Sequence, residues 1–387
     1  MNKVSDIVLS HNSVVSLHVQ LHSQLRQLIL SGRWQSGSRI PSENELTAHL
    51  KVSRSTVRLA LQTADIEGLI ERTAGRGTFV AYLPSHALEN RLIAFVTYGF
   101  DAESHLLMLK GAENELKAHG YQIILSNVQS HHEELDILQR LKAEYVAGVL
   151  LWPYAEASRP QPPSAFSYQQ IRLPMVLMDR KIYGMECDCV TSDNYSGGRA
   201  LMEHLINLGH QNIVFLTHHE TELFTVVERY RAYRDVMREA GLTPVEPWYI
   251  GRPGHEIGAS DTFRSSHDLN SLEIQQIKEY LFTAQPRPSA IFALNDYLAV
   301  LATRTLKLLG LRVPDAMSIG GFDDIELAAH LEVPLTTVAQ DMLLIGKHAA
   351  QVLLDRLGGY SGPSECELIP TELRIRSSTA VPVRVEL

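Results

Sequence analysis

Cysteine is scarce in this chain, with three among 387 residues. Cys187, Cys189 and Cys366 are odd in number, and the C-x-C spacing of the first two is too tight for an ordinary intrachain bridge. A disulfide scaffold is therefore excluded, and reduced thiols in the cytoplasm are the expectation. Metal-ligand spacings are missing too. There is no C-x-x-C with a second pair and no H-x-x-x-H on a convincing helical pattern, and the doublets His131-His132 and His218-His219 read as surface or loop residues, so no metal or other cofactor is expected. No window of about eighteen apolar residues occurs, and the first twenty residues lack the apolar core of a secretion signal, which argues for a cytoplasmic protein with no membrane partner. The chain has no G-x-x-x-x-G-K-[ST], no strand-linked G-x-G-x-x-G and no G-x-S-x-G elbow. Nucleotide hydrolysis and serine hydrolysis have no support, and an enzyme is not expected.

An overall positive charge is also absent: the net charge of -9 argues against a surface that binds nucleic acid everywhere. The charge is uneven, however. Residues 1–80 hold nine Lys and Arg against six Asp and Glu, and the remainder holds 26 against 38. At 45% hydrophobic and 20% charged, the chain has the composition of a globular protein, and its length calls for two or three folding units.

The basic excess coincides with the most informative stretch, residues 37–80. Ser42 followed by Glu45 is a capping box, with Pro41 ahead of it and Leu46 and Leu50 four apart behind it. A short helix and a turn over residues 51–53 follow from that pattern. Ser53 then caps a second helix that turns Val57, Leu61, Ala64 and Ile66 toward a core. Arg54, Ser55, Thr56 and Arg58 are left on its exposed first turn and flank, where such side chains reach base edges and phosphates. Leu69, Ile70 and Arg72, then Gly75, Arg76, Gly77 and the strand-like Thr78, Phe79 and Val80, describe a hairpin with a glycine-rich tip. The ordered series is a helix-turn-helix with a wing.

From about residue 17 to 80 the segments PSENEL, VSRSTVR and GRGTFV resemble the winged helix-turn-helix of the GntR family of bacterial transcription regulators. That resemblance implies contact with duplex operator DNA through Arg54, Ser55, Thr56 and Arg58 and, at the wing, Gly75 and Arg76. Arg39 and Gly77, beside those positions, join the expected DNA-binding set. Where many members carry an arginine between the two glutamates of the second helix, this chain has Asn44, a weaker phosphate partner.

Residues 82–91 contain a proline and little periodicity, so residues 1–82 are expected to form the DNA-binding domain, 83–91 a linker and 92–387 the rest. Beyond it, apolar runs at 93–98, 121–126, 146–152, 175–179, 189–193, 212–217, 289–294, 317–322 and 336–340 alternate with helical patterns near 104–119, 132–143, 195–208, 225–240, 296–309 and 341–357. The expected fold class is α/β: a two-lobed domain with parallel sheets, one lobe over about 92–192, the other over part of 193–339, and the two interleaved. The Pro-rich 158–166 and Gly-rich 251–260 read as inserted loops.

Polar residues recur at strand ends: Tyr98, Asp179, Asn295-Asp296 and Asp323-Asp324, with Arg229 at the start of a helix. In open parallel sheets ligands bind beyond the carboxyl ends of the strands, and this set can fork onto vicinal hydroxyls. Each also has a plainer reading: an aspartate after a strand caps the next helix, Arg229 pairs with a neighbouring helix, and Tyr98 closes a core edge. The segments DNYSGGRALMEHLINLGHQNIVFL, ERYRAYRDVM, PSAIFALND and VPDAMSIGGFDD followed by PLTTVAQD resemble the LacI/GalR effector domain over about residues 91–380. The resemblance implies that Asp179, Arg229, Asn295 and Asp323 bind a small effector, with Gln340 supporting the cleft at a strand crossover and Tyr98 in the apposed lobe. Met342 stands where many members place an aromatic. Trp152 either supplies that stacking face or belongs to the core.

The pairing of the two modules resembles the arabinose-repressor type of regulator. It implies a homodimeric repressor on a pseudo-palindromic operator, with a mono- or disaccharide or a derivative as effector. A regulator of a nucleobase, or a solute-binding protein or enzyme on the same lobes, is the competing reading.

Overall fold

The computed structural model describes residues 4–9, 16–30, 32–66, 69–73, 76–81, 91–100, 103–143, 146–154, 167–168, 170–171, 173–219, 223–252, 268 and 270–383. The expected linker and the two inserted loops lie almost wholly outside these residues. The chain divides into two compact units, residues 1–92 with 143–147 and residues 93–142 with 148–387.

In the first unit α1 (Leu17–Leu30) packs on α3 (Arg54–Ile66), and α2 (Glu43–Leu50) lies between them in sequence. The capping box forms as the sequence demands: the Ser42 hydroxyl accepts from Glu45 N, and the Glu45 carboxylate accepts from Ser42 N at 2.7 Å. These bonds hold the Glu45 carboxyl below the usual carboxylate range. Lys51 ends α2 in the left-handed conformation (φ 54°), which reverses the chain into the cap of α3. Leu21, Leu25, Ile29, Trp34, Leu46, Val57 and Leu61 fill the core. The side chain of Ile66 lies outside the described set. The wing is β1 (Ile70–Thr73) antiparallel to β2 (Gly77–Val80). One metal-related expectation changes here. His18 and His22 stand four apart on α1, a helix the pattern had not marked, although no group of three or more candidate metal ligands occurs among the described residues.

The second unit is two α/β layers, one of them carrying an antiparallel edge strand, Glu372–Arg374, beside Thr336–Ala339. Its elements run β3 (Leu92–Tyr98), α4 (Glu103–Ala118), β4 (Gln122–Val128), α5 (His131–Ala143), β5 (Gly148–Leu151), β6 (Met175–Met178), β7 (Asp188–Ser192), α6 (Asn194–Asn207), β8 (Ile213–His218) and α7 (Phe224–Glu239). They continue with β9 (Trp248–Ile250), α8 (Leu272–Thr283), β10 (Ala290–Ala293), α9 (Asp296–Leu308), β11 (Ser318–Asp323), α10 (Glu326–His330), β12 (Thr336–Ala339), α11 (Met342–Leu357), β13 (Cys366–Ile369) and β14 (Glu372–Arg374). One sheet has the order β13-β7-β6-β5-β3-β4, the other β14-β12-β11-β10-β8-β9. The central strands are buried along their whole length, as expected of parallel sheets covered on both faces. The chain passes between sheets three times: after β7, after β12 and after β13. Residues 342–369 therefore belong with the first lobe, where α11 packs on α4 and across β5, β6 and β7.

Two readings of detail are corrected. Of the histidine doublets expected at the surface or in loops, His132 is exposed and His219 lies in a bend past β8, but His131 and His132 open α5 and His218 ends β8 with 3% of its surface exposed. Arg229 lies in the second turn of α7, one turn further along the helix than its placement at a helix start. That extra turn carries it over the strand ends.

Candidate functional site: an exposed recognition helix and an inter-lobe cleft

On α3 the side chains of Arg54, Ser55 and Arg58 are exposed and Thr56 is half-buried. The Ser53 hydroxyl caps the helix by accepting from Thr56 N at 3.1 Å, and it also meets Ser55 Oγ at 2.7 Å and Thr56 Oγ1 at 2.8 Å. The first turn is thus a preformed hydroxyl cluster at a positive helix end, a favourable seat for an anion. Arg58 reaches Glu43 of α2 at only 3.4 Å with two-thirds of its side chain in solvent, so little holds it from another partner. Asn44 is exposed.

At the wing, Arg76 is exposed and its amide donates to Thr73 O at 3.0 Å, closing the turn. Gly77 has φ 113°, and a Cβ there would stand 3.0 Å from Arg39 Nε. Only glycine suits that backbone, and the exposed Arg39 lies across it, bridged to Phe79 of β2. Arg39, Arg76 and Gly77 therefore share the wing. Gly75 lies outside the described residues.

The second site lies at the carboxyl ends of the strands, between the two lobes. Arg229 is its centre. Its guanidinium is buried, donates from Nε to Asn194 Oδ1 at 2.8 Å and from Nη1 to Leu294 O at 2.8 Å, and lies 3.6 Å from Asp323 Oδ1. It also stacks on the Phe322 ring at 3.7 Å. Gln340 Nε2 donates to the same Asp323 oxygen at 2.6 Å. Burial lowers the pKa of Arg229, opposed by the charges of Asp323, Asp179 and Asp296, and Asp323 is the carboxylate nearest the cation. The reverse holds for Asp323. With 21% of its side-chain surface still accessible, its carboxyl is raised to about 6 by burial and by Asp179, against the pull of Arg229 and Gln340.

Three aspartates here have a left-handed backbone: Asp179 (φ 63°), Asp323 (φ 116°) and Asp324 (φ 54°). Such conformations cost free energy outside glycine and cluster where a side chain must be aimed. Asp324 is drawn to Arg376 at 2.6 Å, away from Asp323. Asp296 is buried and turned inward, accepting from Thr337 Oγ1 at 2.6 Å and Ile325 N at 3.0 Å, and burial raises its pKa well above the carboxylate range. Asn295 caps α9, its Oδ1 accepting from Leu298 N at 3.0 Å. The plainer reading of a polar residue after a strand is realised at Asn295, whose amide nitrogen alone remains for a ligand.

The other wall is aromatic. Tyr98 meets Trp152 and Tyr154 edge-on, and Trp152 stacks on His105 with centroids 4.0 Å apart. Arg180 lies over both Tyr98 and Trp152 and comes within 3.8 Å of Asp179. Trp152 is therefore buried and part of the cleft wall at once. A cavity of about 60 Å³ opens between Glu103, Ser104 and Leu107 on one lobe and Tyr297, Asp323 and Ile325 on the other, with Gln340 and Met342 at the crossover. The arrangement brings Asp179, Arg229, Asp323 and Gln340 together and sets Tyr98 on the aromatic wall. Sequence reasoning missed Asn194 and Arg180. Asn194 lay in the quoted DNYSGG segment and follows Asp193, the cap of α6, so its position at a strand end was a usable signal. Nothing set Arg180 apart from any other arginine.

Residues 17–80 match the model of bacterial regulatory proteins of the gntR family, and residues 202–379 match that of the periplasmic binding protein-like domain. An arabinose metabolism transcriptional repressor of Geobacillus stearothermophilus is 28% identical over 370 residues, spanning 94% of this chain and 97% of the relative. The chain is a transcription regulator built from a GntR domain and a periplasmic-binding-protein-like domain. A second relative of the regulator, an HTH-type transcriptional repressor PurR of Photobacterium profundum, is 28% identical over 272 residues, 70% of this chain and 76% of its own. Among solved structures, a LacI family transcriptional regulator from Mycobacterium smegmatis has a TM-score of 0.63 at 24% identity, covering 75% of the regulator and 100% of that chain. A LacI family regulator from Enterococcus faecium with bound ribose has a TM-score of 0.60 at 23% identity, covering 75% and 99%. These likenesses show a fold shared with the LacI family regulators. None of the described helices is long and apolar enough to cross a membrane.

Proposed function

We propose that the regulator is a cytoplasmic repressor whose operator affinity is set by a sugar held between the lobes of its second unit. The observation that carries this reading is the Arg229 cluster: a buried guanidinium, two carboxylates and two amides at strand ends of both sheets, facing an aromatic wall. Guanidinium and carboxylate groups fork onto vicinal hydroxyls, and an aromatic face covers the apolar side of a sugar ring. The arabinose name of a relative spanning nearly the whole chain, and the ribose in a structure of the same fold, favour a pentose within that class. A sugar replaces Gln340 or Asn194 as the partner of a buried charge, so its affinity differs between open and closed lobes, and that difference is the coupling to DNA.

At the other end, Arg54, Ser55, Thr56 and Arg58 enter the major groove, while Arg39, Arg76, Gly75 and Gly77 carry the wing to the backbone or minor groove. A homodimer sets two such units on the half-sites of a pseudo-palindrome. Asp179, Arg229, Asn295, Asp323, Gln340 and Tyr98 form the effector set.

The test is a thermal-shift panel on the full chain with pentoses, hexoses, disaccharides, sugar phosphates and nucleobases. A binder stabilises the folded state by mass action. A sugar should raise the melting midpoint and change operator affinity at the same concentration. A response to nucleobases alone overturns the sugar assignment.

A further inference from the structure

The three cysteines, unused by the regulatory reading, lie together. β13 runs parallel to β7 with Cys366 directly beside Cys189 in register. Neighbouring strands lie about 4.8 Å apart, inside the window of roughly 4.4–6.8 Å between Cα atoms that a disulfide requires. The surroundings are asymmetric. Cys189 is buried, whereas Cys366 opens with Cys187 and Lys181 onto a cavity of about 350 Å³ that also exposes Glu186 and Glu365. The neighbouring Cys189 thiol and the charge of Lys181 lower the Cys366 thiol to about 7, while burial pushes Cys187 up to about 12. Cys187 is in addition committed to Met175 O, toward which its thiol points at 3.3 Å.

The position of the pair matters. β7 and β13 are the strands that lead into two of the three lobe crossings, and their ends are tied by Asp193 N donating to Ile369 O at 2.8 Å. The Cys189 thiol points at Arg180 O at 3.9 Å, and the Arg180 side chain lies on the aromatic wall of the cleft. Lys181, which faces the Cys366 sulfur, lies 4.7 Å from the ring of Phe224 at the start of α7 in the opposite lobe.

We propose that Cys366 and Cys189 are a peroxide-sensitive dithiol that closes to a disulfide at the root of the lobe crossings. The Cys366 thiolate attacks a peroxide oxygen, the O–O bond breaks, and hydroxide leaves; the product is the sulfenic acid. The Cys189 sulfur then attacks that sulfur as its thiol proton passes to the departing oxygen. The S–O bond breaks and water leaves, and the proton released by the Cys366 thiol converts the first hydroxide to water, so two thiols and one hydrogen peroxide give one disulfide and two waters. Oxidation withdraws the thiolate that faces Lys181 and turns the Cys189 sulfur away from Arg180, so one event reaches both a lobe-to-lobe contact and the effector wall.

The experiment treats the full-length reduced protein with hydrogen peroxide and maps its peptides by mass spectrometry. The expected product has lost two hydrogens, carries a peptide joining Cys189 to Cys366 within one chain, and reverts with dithiothreitol. C187S should give the same crosslink at the same rate within twofold, and C366S should give none. Oxidation of Cys187 in preference, a crosslink only between chains, or stable sulfinic acid on Cys366 without a crosslink would each overturn the proposal. The wild-type mapping decides the matter even if C366S fails to fold.

Discussion

Arginine is used in opposite ways in the two units. In the winged unit Arg54 and Arg58 stand in solvent, the latter with one loose partner at 3.4 Å. In the effector unit Arg229 is enclosed, with two hydrogen bonds at 2.8 Å, a carboxylate at 3.6 Å and a ring beneath it. A surface arginine contributes little to folding and is free to meet phosphate; a buried one is tolerated only because its partners hold it, and it responds when a ligand changes those partners. The same side chain is thus left to solvent in one unit and enclosed by partners in the other.

The contrast is broken most directly at Arg229. Arg229→Ala leaves Asp323 and Asp179 facing each other without their cation, a loss of about 3–5 kcal/mol in stability. Arg54→Ala should change stability by no more than about 0.5 kcal/mol. Urea denaturation of both variants checks this, and equal losses would dissolve the distinction.

A second prediction concerns a buried acid on the effector side. Glu134 on α5 accepts from Tyr154 N at 2.8 Å and from the Tyr168 hydroxyl, and so fixes the backbone of an aromatic of the cleft wall. Burial raises its carboxyl to about 7, against those two hydrogen bonds and the charge of Arg180. The unfolded chain releases this proton near 4.5, so between 4.5 and 7 the native state binds more protons. The stability owed to this group is present in full below 4.5 and is lost as pH rises through 7, on the order of 2–3 kcal/mol. Denaturation at pH 5 and pH 8 should show that Glu134→Gln narrows the difference seen in wild type. An unchanged difference would place the proton elsewhere.

On the DNA side, Arg54→Ala should cost roughly 1–3 kcal/mol of operator binding at fixed salt, measured on a DNA selected by the wild-type protein from random sequence. Smallest is Gly77→Ala. At φ 113°, with Arg39 at 3.0 Å, the new Cβ should cost about 1–2 kcal/mol in the winged unit. Its effect on DNA should exceed that of a substitution at the exposed Asn44, and gel-shift titration of both ranks them.

Much of this was legible before the fold was seen, because both units are written in local chemistry. The Ser42–Glu45 box, the Ser53 cap and the apolar residues of α3 are short-range signals, as are the buried runs of the parallel strands. The cleft was legible only as far as strand ends reveal it. Asp179, Asp323 and Gln340 follow strands, so their placement comes with the topology. Asn194, just past β7, carried the same strand-end signal, whereas the role of Arg180 depends on which partner its side chain finds across the fold, and no spacing encodes that. Asn295 shows why strand ends alone do not decide, since a cap and a ligand contact look alike in sequence and its Oδ1 serves the cap. The edge strands β13 and β14 are half-exposed and lack the continuous buried run that marks the central strands, β9 has only three residues, and β13 is the strand that sets Cys366 beside Cys189.

The most direct test is operator titration of wild type and Arg229→Lys, with and without the sugar that gives the largest melting shift in the panel. Lysine keeps the charge opposite Asp323 but cannot donate to Asn194 and the Leu294 carbonyl together. The account predicts that both proteins bind operator alike without sugar, and that at the concentration which changes wild-type affinity tenfold the variant changes less than twofold. A variant that responds like wild type at that concentration would contradict it.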